Sequence, residues 1–585
     1  MVDVKECSVV KSLAAKAKYA QEWDDLFAFI SKKQLKDDFL WRLLIRQYED
    51  KTDDADAGWR GEYWGKLMRG GAMVYAYTQD EELYQTLVRA VEGILSTQDE
   101  DGRISACSKE NEFIGWDMWS RKYIMLGMQY FYEVCTDDCL KSRMVSAMQK
   151  HADYIMQHVG EGEGRIPVRQ TSDFHIGYNA FSILQPFVKL YKLTGEEKYL
   201  AYAKEMIDSE YQSGGLFALA KENKLYPYEY PVTKAYELMS CFEGLLEYYE
   251  IVGDPVYLET AKGYADKILQ TDFVIIGASG GHDEYFDHSI KTQVVKTDVN
   301  KFETCVTVTL MKYLATLYRL TGEKQYVDAI ERSFYNAYLG ALIDVENKGG
   351  LAVPLFYSYS PVYQNERWTL MGGAKNLSSY ARFGCCVAIG AAGLGLLPSV
   401  GVVAEKEKIT VGLFIDGEYQ LPTATLRLET EYPYDGCVKV TLVKADGVQK
   451  IALRIPEWCD SFTVDRAYTV ENGYVCVELS EGEALTYQMK MPCKVISSKM
   501  VNEEAEGLFA VTRGPIVLCA DSRETDLYKS YALKQVDNQA LGTKTENGYL
   551  FELENGQTIT LREYSKTGKD YYTPREISVW LKQEN

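Results

Sequence analysis

Three short segments carry side chains able to do chemistry together. Glu303-Thr304-Cys305 puts a carboxylate two positions before a thiol, Cys385-Cys386 is a vicinal thiol pair, and Gly280-Gly-His282-Asp283-Glu284 is a glycine-rich loop with an imidazole and two carboxylates. Three thiols and one carboxylate are the donor set of a soft divalent ion, and they number the four ligands of tetrahedral zinc. The competing reading is plain packing: free cysteine is among the most buried residue types, and His282 with Glu284 would serve as an ordinary polar loop. Residue types and spacing leave both readings open. Aromatic residues make up 13% of the chain, including 45 tyrosines, which suits stacking on sugars as well as packing between helices.

The elements that would position these segments follow from periodicity. Up to about residue 400, apolar residues recur at three- and four-residue spacing, with few prolines, which predicts helices. An aromatic helix end, a turn and a new helix recur with turn positions at Thr78, Thr136, Thr194, Val252 and Thr321, in steps of 58, 58, 58 and 69 residues. Gly195, Gly253 and Gly322 suit left-handed helix caps, and the acidic residues after each turn suit the positive N-terminal end of the next helix. A lone two-helix hairpin cannot bury both faces, so neighbours must stack. Five hairpins with a sixth near either end predict a closed (α/α)6 toroid, in whose mouth loops from distant hairpins converge.

Beyond Pro398 the period changes to two, as in Lys408-Ile-Thr-Val-Gly-Leu and Ala424-Thr-Leu-Arg-Leu-Glu, with a second set of strands from Gly507 to Leu581. The expected class is a multidomain α+β chain: residues 1–400 a toroid carrying the site, 401–498 a β-sandwich, and 499–585 a second β-sandwich.

With 64 Lys and Arg against 85 Asp and Glu the net charge is −21, a field that repels nucleic acid and anionic lipid. No apolar run approaches the roughly 18 residues of a membrane span. The opening Met1-Val-Asp-Val-Lys-Glu-Cys7 lacks a signal-peptide layout, and 13 scattered cysteines do not form a disulfide framework. A cytoplasmic protein with reduced thiols is expected, with no membrane or nucleic-acid partner; a homodimer is compatible with the sequence but not read from it.

In order along the chain, Glu303-Thr-Cys305, Leu317-Tyr-Arg-Leu-Thr-Gly322, Tyr335-Asn-Ala337, Cys385-Cys386, Arg454-Ile-Pro456-Glu-Trp458 and Arg513-Gly-Pro515-Ile-Val-Leu resemble glycoside hydrolase family 127, the β-L-arabinofuranosidase superfamily. The resemblance runs from about Tyr63 to Trp580. It implies one Zn2+ held by Glu303, Cys305, Cys385 and Cys386, with Cys385 also the nucleophile of a retaining reaction through a glycosyl thioether. It further implies Glu284 as acid/base, with neighbouring Asp283 the alternative in the same loop. His175, His282 and Trp64 are the candidate sugar contacts, and Glu62, Trp116 and Trp119 could line the same pocket. Two departures stand out: Ile389 and Ala392 replace polar residues of the family, and the helix stretches around Ser182 and Ser240 carry no histidine in a chain with only five. They imply altered sugar specificity or weakened turnover. The expected function is a zinc-dependent exo-glycosidase releasing a terminal β-L-arabinofuranose or related pentose from oligosaccharides. The rivals are a non-catalytic carbohydrate-binding protein with structural zinc, and a sugar epimerase or lyase on the same toroid.

Overall fold

The structure, a computed structural model, describes residues 12–53, 61–282, 284–297, 301–343, 354–366, 375–378, 381–405, 408–537, 539–546, 548–569 and 575–584. Asp283 therefore lies outside the described residues. After helices α1 (Gln21–Ile30) and α2 (Asp38–Asp50) come α3 (Glu62–Thr78), α4 (Glu81–Leu95), α5 (Asp117–Val134), α6 (Asp138–His158), α7 (Leu184–Thr194) and α8 (Glu197–Gln212). They are followed by α9 (Ala235–Val252), α10 (Pro255–Thr271), α11 (Thr304–Thr321), α12 (Lys324–Ser333) and α13 (Cys385–Gly395). The hairpin turns obey the chemistry read from the sequence. Gly195, Gly253 and Gly322 sit at φ 69°, 71° and 70°, each N–H donating back to a tyrosine carbonyl of the finished helix. The next helices open on acidic residues, and Asp80, Asp137 and Asp254 accept hydrogen bonds from the first free backbone N–H groups.

Helices α3, α5, α7, α9, α11 and α13 form an inner ring in which each packs on the next, and α13 closes on α3. The toroid is thus complete among the described residues. Its sixth unit is built from both ends of the run: α13 arrives after a long excursion past α12, while Gln34, from the turn between α1 and α2, donates to the Val387 carbonyl of α13 at 2.8 Å. The inner helices approach closely through small residues. A Cβ on Gly65 would lie 1.8 Å from the Tyr123 carbonyl oxygen of α5, and one on Gly70 would lie 2.8 Å from the Ala391 Cβ of α13. That explains the apolar, small-residue run after Cys386: Ile389 and Ala392 are fully buried in the seam that shuts the ring.

A sandwich of two six-stranded sheets follows. Val402–Ala404, Ile409–Val411, Gln449–Arg454 and Tyr474–Leu479 lie in one; Gly417–Gln420, Ala424–Thr430, Cys437–Ala445 and Ala484–Met489 lie in the other. The N-terminal strands Leu13–Ala14 and Lys16–Tyr19 complete one edge of each sheet. Ala424–Thr430 alternates buried and exposed side chains, as its period-two pattern requires. A last sheet is built around Cys493–Ser497, Leu508–Arg513, Ile516–Asp521 and Thr558–Glu563.

Three of the motifs that carried the family resemblance turn out to join these layers. Arg454, fully buried, forms ion pairs with Asp328 and Glu331 of α12 and donates to the Gly412 carbonyl at 2.7 Å. Asn336 donates to the Pro515 carbonyl and accepts from the Val517 N–H, at 2.8 and 2.7 Å, tying the toroid to the last sheet. Among the described residues no helix is long and apolar enough to cross a membrane.

Candidate functional site

The three chemical segments meet at one mouth of the ring, where inner helices begin. Glu303 is the N-cap of α11 and ends a short strand paired with Tyr359–Pro361; Cys305 lies in the first turn of α11; Cys385 and Cys386 are the first two residues of α13. Thr304 locks this arrangement, its N–H donating to the Ser358 carbonyl at 2.8 Å and its hydroxyl to the Tyr357 carbonyl at 2.7 Å. Helix N-termini favour negative charge, and thiolates in particular.

The donor atoms of Glu303, Cys305, Cys385 and Cys386 all lie within 4.8 Å of one another, so the cluster could hold a metal ion. Glu303 Oε1 stands 3.4 Å from Cys385 Sγ and 3.3 Å from Cys386 Sγ, and the two sulfurs are 3.8 Å apart. With zinc–sulfur bonds near 2.3 Å, a tetrahedral edge between two sulfurs is about 3.8 Å, so the spacing fits. Glu303 Oε2 is buried with no hydrogen-bond partner, a costly state unless the carboxylate has a further partner. The donor set therefore suits a soft divalent ion in both chemistry and size.

The cluster is electrically uneven. Burial pushes the Cys305 and Cys386 thiols and the Glu303 carboxyl well up. Cys385 moves the other way: hydrogen bonds from the Cys305 and Cys386 thiols and the nearby Lys66 ammonium hold it well below the usual thiol range. Exposure separates the sulfurs too. Cys305 and Cys386 are fully buried, whereas Cys385 keeps 8% of its surface.

Glu284, in the left-handed region at φ 72°, turns its carboxylate toward the cluster's edge. It pairs with the Lys234 ammonium and accepts from the Tyr359 hydroxyl at 2.6 Å. Burial raises its pKa, partly offset by Lys234. A carboxyl held up in this way can keep its proton for a leaving group.

The substrate-contact candidates divide. His175 is half-buried, edge-on to Trp116 at 6.0 Å and to Tyr285 at 6.1 Å, and burial lowers its pKa, so the neutral ring is favoured. His282 is exposed at the loop tip. Trp64 is corrected: it is fully buried, set edge-on against Trp41 and packed on Gly127, and so belongs to the wall of the toroid, not to a sugar-contact surface. Trp119 is likewise buried, and Trp116 stacks on Phe174 at 5.2 Å. Glu62 is buried beside the sulfurs; burial, with Cys385 adding to it, lifts its pKa to about 8 against the pull of Lys66, which it meets at 2.7 Å.

Sequence reading missed Lys66, Lys234 and Tyr359. Lys66 is buried, 3.9 Å from Cys305 Sγ and 4.4 Å from the Tyr236 ring centre. Burial depresses its ammonium, whereas attraction to Cys305 and Glu62 in their ionised forms raises it, and the net direction is upward. Its signal was present: Glu62, Lys66 and Arg69 fall on one stripe of a helix otherwise made of glycine, alanine and large apolar residues, where no solvent-facing side exists. Tyr359 lies in a three-residue strand and offered none.

The profile described as "Beta-L-arabinofuranosidase, GH127 catalytic domain" matches residues 6–396, and that described as "Beta-L-arabinofuranosidase, GH127 middle domain" matches residues 408–492. A non-reducing end β-L-arabinofuranosidase of Bifidobacterium longum subsp. longum is 22% identical over 514 residues, covering 78% of this chain and 74% of the relative. Among solved structures, a GH127 β-arabinofuranosidase superposes with a TM-score of 0.77 at 17% identity, covering 98% of both chains. A GH127 β-L-arabinofuranosidase from Geobacillus stearothermophilus T6 gives 0.69 at 17% identity, covering 97% of this chain and all of that one.

Proposed function

The chain belongs to glycoside hydrolase family 127, the β-L-arabinofuranosidases, and from that premise we propose a zinc-dependent, retaining exo-glycosidase with Cys385 as nucleophile and Glu284 as acid/base. Its substrate is an oligosaccharide ending in β-L-arabinofuranose or a related pentose. The observation that carries the assignment is geometric: the donor atoms of Glu303, Cys305, Cys385 and Cys386 lie within 4.8 Å of one another, and of the three cysteines only Cys385 keeps any exposed surface.

A free thiol has a pKa near 8.5 and is mostly protonated at neutral pH, so a thiol nucleophile needs activation. Zinc, held by Glu303, Cys305, Cys385 and Cys386, would supply the positive charge that keeps these sulfurs as thiolates. In the first step Cys385 Sγ attacks the anomeric carbon while the bond to the glycosidic oxygen breaks and Glu284 gives that oxygen its proton. In the second step the Glu284 carboxylate takes a proton from water, whose oxygen attacks the same carbon and releases the Cys385 thiolate. Two inversions at one carbon return the starting configuration, the logic of two-carboxylate retaining glycosidases with sulfur in place of one carboxylate. Tyr359 and Lys234 hold the Glu284 carboxylate between these roles, and burial favours its acid form at the start of the cycle.

Elemental analysis tests the metal: about one zinc per chain is expected in the wild type and a loss of most of it in Cys305→Ser, with hydrolysis of an aryl β-L-arabinofuranoside falling in proportion. Reduced wild-type protein that hydrolyses the glycoside without zinc would overturn the reading. Glu284→Ala tests the acid/base separately. Slow turnover is expected, most severe for poor leaving groups, with azide restoring cleavage of an activated aryl glycoside about 10-fold or more. A variant with wild-type rates on poor leaving groups would remove Glu284 from the role.

A further inference from the structure

Below the sulfur cluster, the axis of the ring is lined with buried cations that the proposed reaction does not use. Arg69 of α3 and Lys122 of α5 are each about 1% exposed, yet Arg69 Nε and Nη2 and Lys122 Nζ have no hydrogen-bond partner among the described residues. Their recorded neighbours are ring faces: Lys122 Nζ lies 4.3 Å from the Trp119 centre, and the Arg69 guanidinium 5.6 Å from that of Tyr123. Two hydroxyls on the facing helices share this condition. Thr309 Oγ1 and Ser240 Oγ are fully buried and unpartnered. Helical spacing puts Thr309 on the axial stripe between Cys305 and Lys312, and Ser240 on that between Tyr236 and Glu243.

The charges do not balance. Arg69, Lys122 and Lys312 bear on one another and on a single carboxylate, Glu243. Both oxygens of Glu243 are already engaged by Lys312, at 2.8 and 3.1 Å. An uncompensated buried cation costs several kcal/mol, and Arg69 Nε, Arg69 Nη2 and Lys122 Nζ lack an acceptor among the described residues, on a ring of helices that also carries the unpartnered Ser240 and Thr309 hydroxyls. Unpartnered buried acceptors on the inner helices include Gln129 Oε1, Gln185 Oε1 and Glu237 Oε2, the last one helical turn before Ser240 on α9. Gln129 is two helical turns beyond Lys122, and Gln185 lines a cavity of about 700 Å³ at the opposite mouth of the ring from the sulfurs. That cavity is lined by Ala72, Met73, Glu243 and Lys312, about one helical turn from Arg69, Ser240 and Thr309.

We propose that the toroid axis holds a small monovalent anion, a halide or a carboxylate, between Arg69 and Lys122, reached from the mouth opposite the sulfur cluster. The site is distinct from the metal-like cluster and from the sugar subsite. It neutralises the excess charge and gives the guanidinium, the ammonium and the two hydroxyls a common acceptor. With no anion bound, burial first, then Lys312 and Arg69 against the pull of Glu243, push the Lys122 pKa down to about 7.

The test soaks crystals of the zinc-loaded enzyme in sodium bromide and measures melting at constant ionic strength in bromide, in acetate and in sulfate. Expected are an anomalous bromide peak within hydrogen-bond reach of Arg69 and Lys122, and a rise in Tm of about 1–3 °C with the bound anion over sulfate. Lys122→Met should abolish the rise while leaving zinc content unchanged. A response to acetate alone assigns the site to carboxylates, and one to bromide alone to halides. Bromide only at surface lysines, or ordered water in the pocket at saturating bromide, overturns the proposal. The crystal measurement decides even where Lys122→Met fails to fold.

Discussion

Cys385→Ala is expected to lower kcat/KM on an aryl β-L-arabinofuranoside by about 10⁴-fold or more, with the circular dichroism spectrum unchanged. The comparison that makes this decisive is Cys386→Ala. Both variants remove one sulfur from the same four-residue cluster, and both would weaken its hold on the proposed zinc. Were the sulfurs only structural ligands, the two losses would be similar and excess zinc would repair both. Cys386 is fully buried and its thiol is pushed up by burial, whereas Cys385 keeps a little exposed surface and its thiol is held down by two neighbouring thiols and Lys66. The Cys386 variant should therefore recover much of its rate in excess zinc, and the Cys385 variant should not. Mass spectrometry of the wild type stopped during turnover of a slow substrate should find a pentosyl adduct on the peptide bearing Cys385. Equal zinc rescue of both variants would return the cluster to a purely structural role and favour a non-catalytic carbohydrate-binding protein.

How far the sequence reached depended on whether the governing physics was local. A 58-residue hairpin period is visible because each turn needs a left-handed residue and an acidic helix start, and glycine and aspartate advertise both. The donor cluster was only half legible: residue type and spacing left packing and metal binding both open, and the family resemblance singled out its four members. The sixth unit of the ring was hidden because its helix and its packing partners lie at opposite ends of some 350 residues, beyond any local period. Ile389 and Ala392 read as losses from a pocket, yet the packing of α13 on α3 accounts for their apolar character. Trp64 read as a sugar platform because an aromatic near a site motif suits stacking; its burial is set by Trp41 and Gly127, which nothing near it announces. Lys66 was overlooked for the opposite reason. A lysine in a helix ordinarily carries its charge to solvent, and only the closed ring makes that impossible.

Arg454→Met should lower the stability of the toroid-to-sandwich junction by about 3–5 kcal/mol, because it deletes a buried cation and leaves two carboxylates facing each other. Asp328 keeps Lys324 as a partner, so most of the cost falls on Glu331. Glu331 retains the Tyr432 hydroxyl at 2.7 Å and the Trp458 indole at 3.3 Å but loses its only ion-pair partner among the described residues. Burial already raises the Glu331 pKa and Arg454 pulls it back; without the arginine it rises further above its unfolded value. A group whose folded pKa is raised contributes stability below its unfolded pKa and loses it as pH rises through the folded one. The deficit of the variant relative to wild type should therefore be smallest near pH 4 and grow toward neutrality. Denaturant unfolding at a series of pH values measures this. Adding Glu331→Gln to Arg454→Met should recover part of the loss at pH 7 and flatten its pH dependence, which simple loss of arginine packing would not do. A deficit independent of pH would mean that the arginine acts by its bulk and its bond to the Gly412 carbonyl, and that the buried charges at this junction are balanced without it.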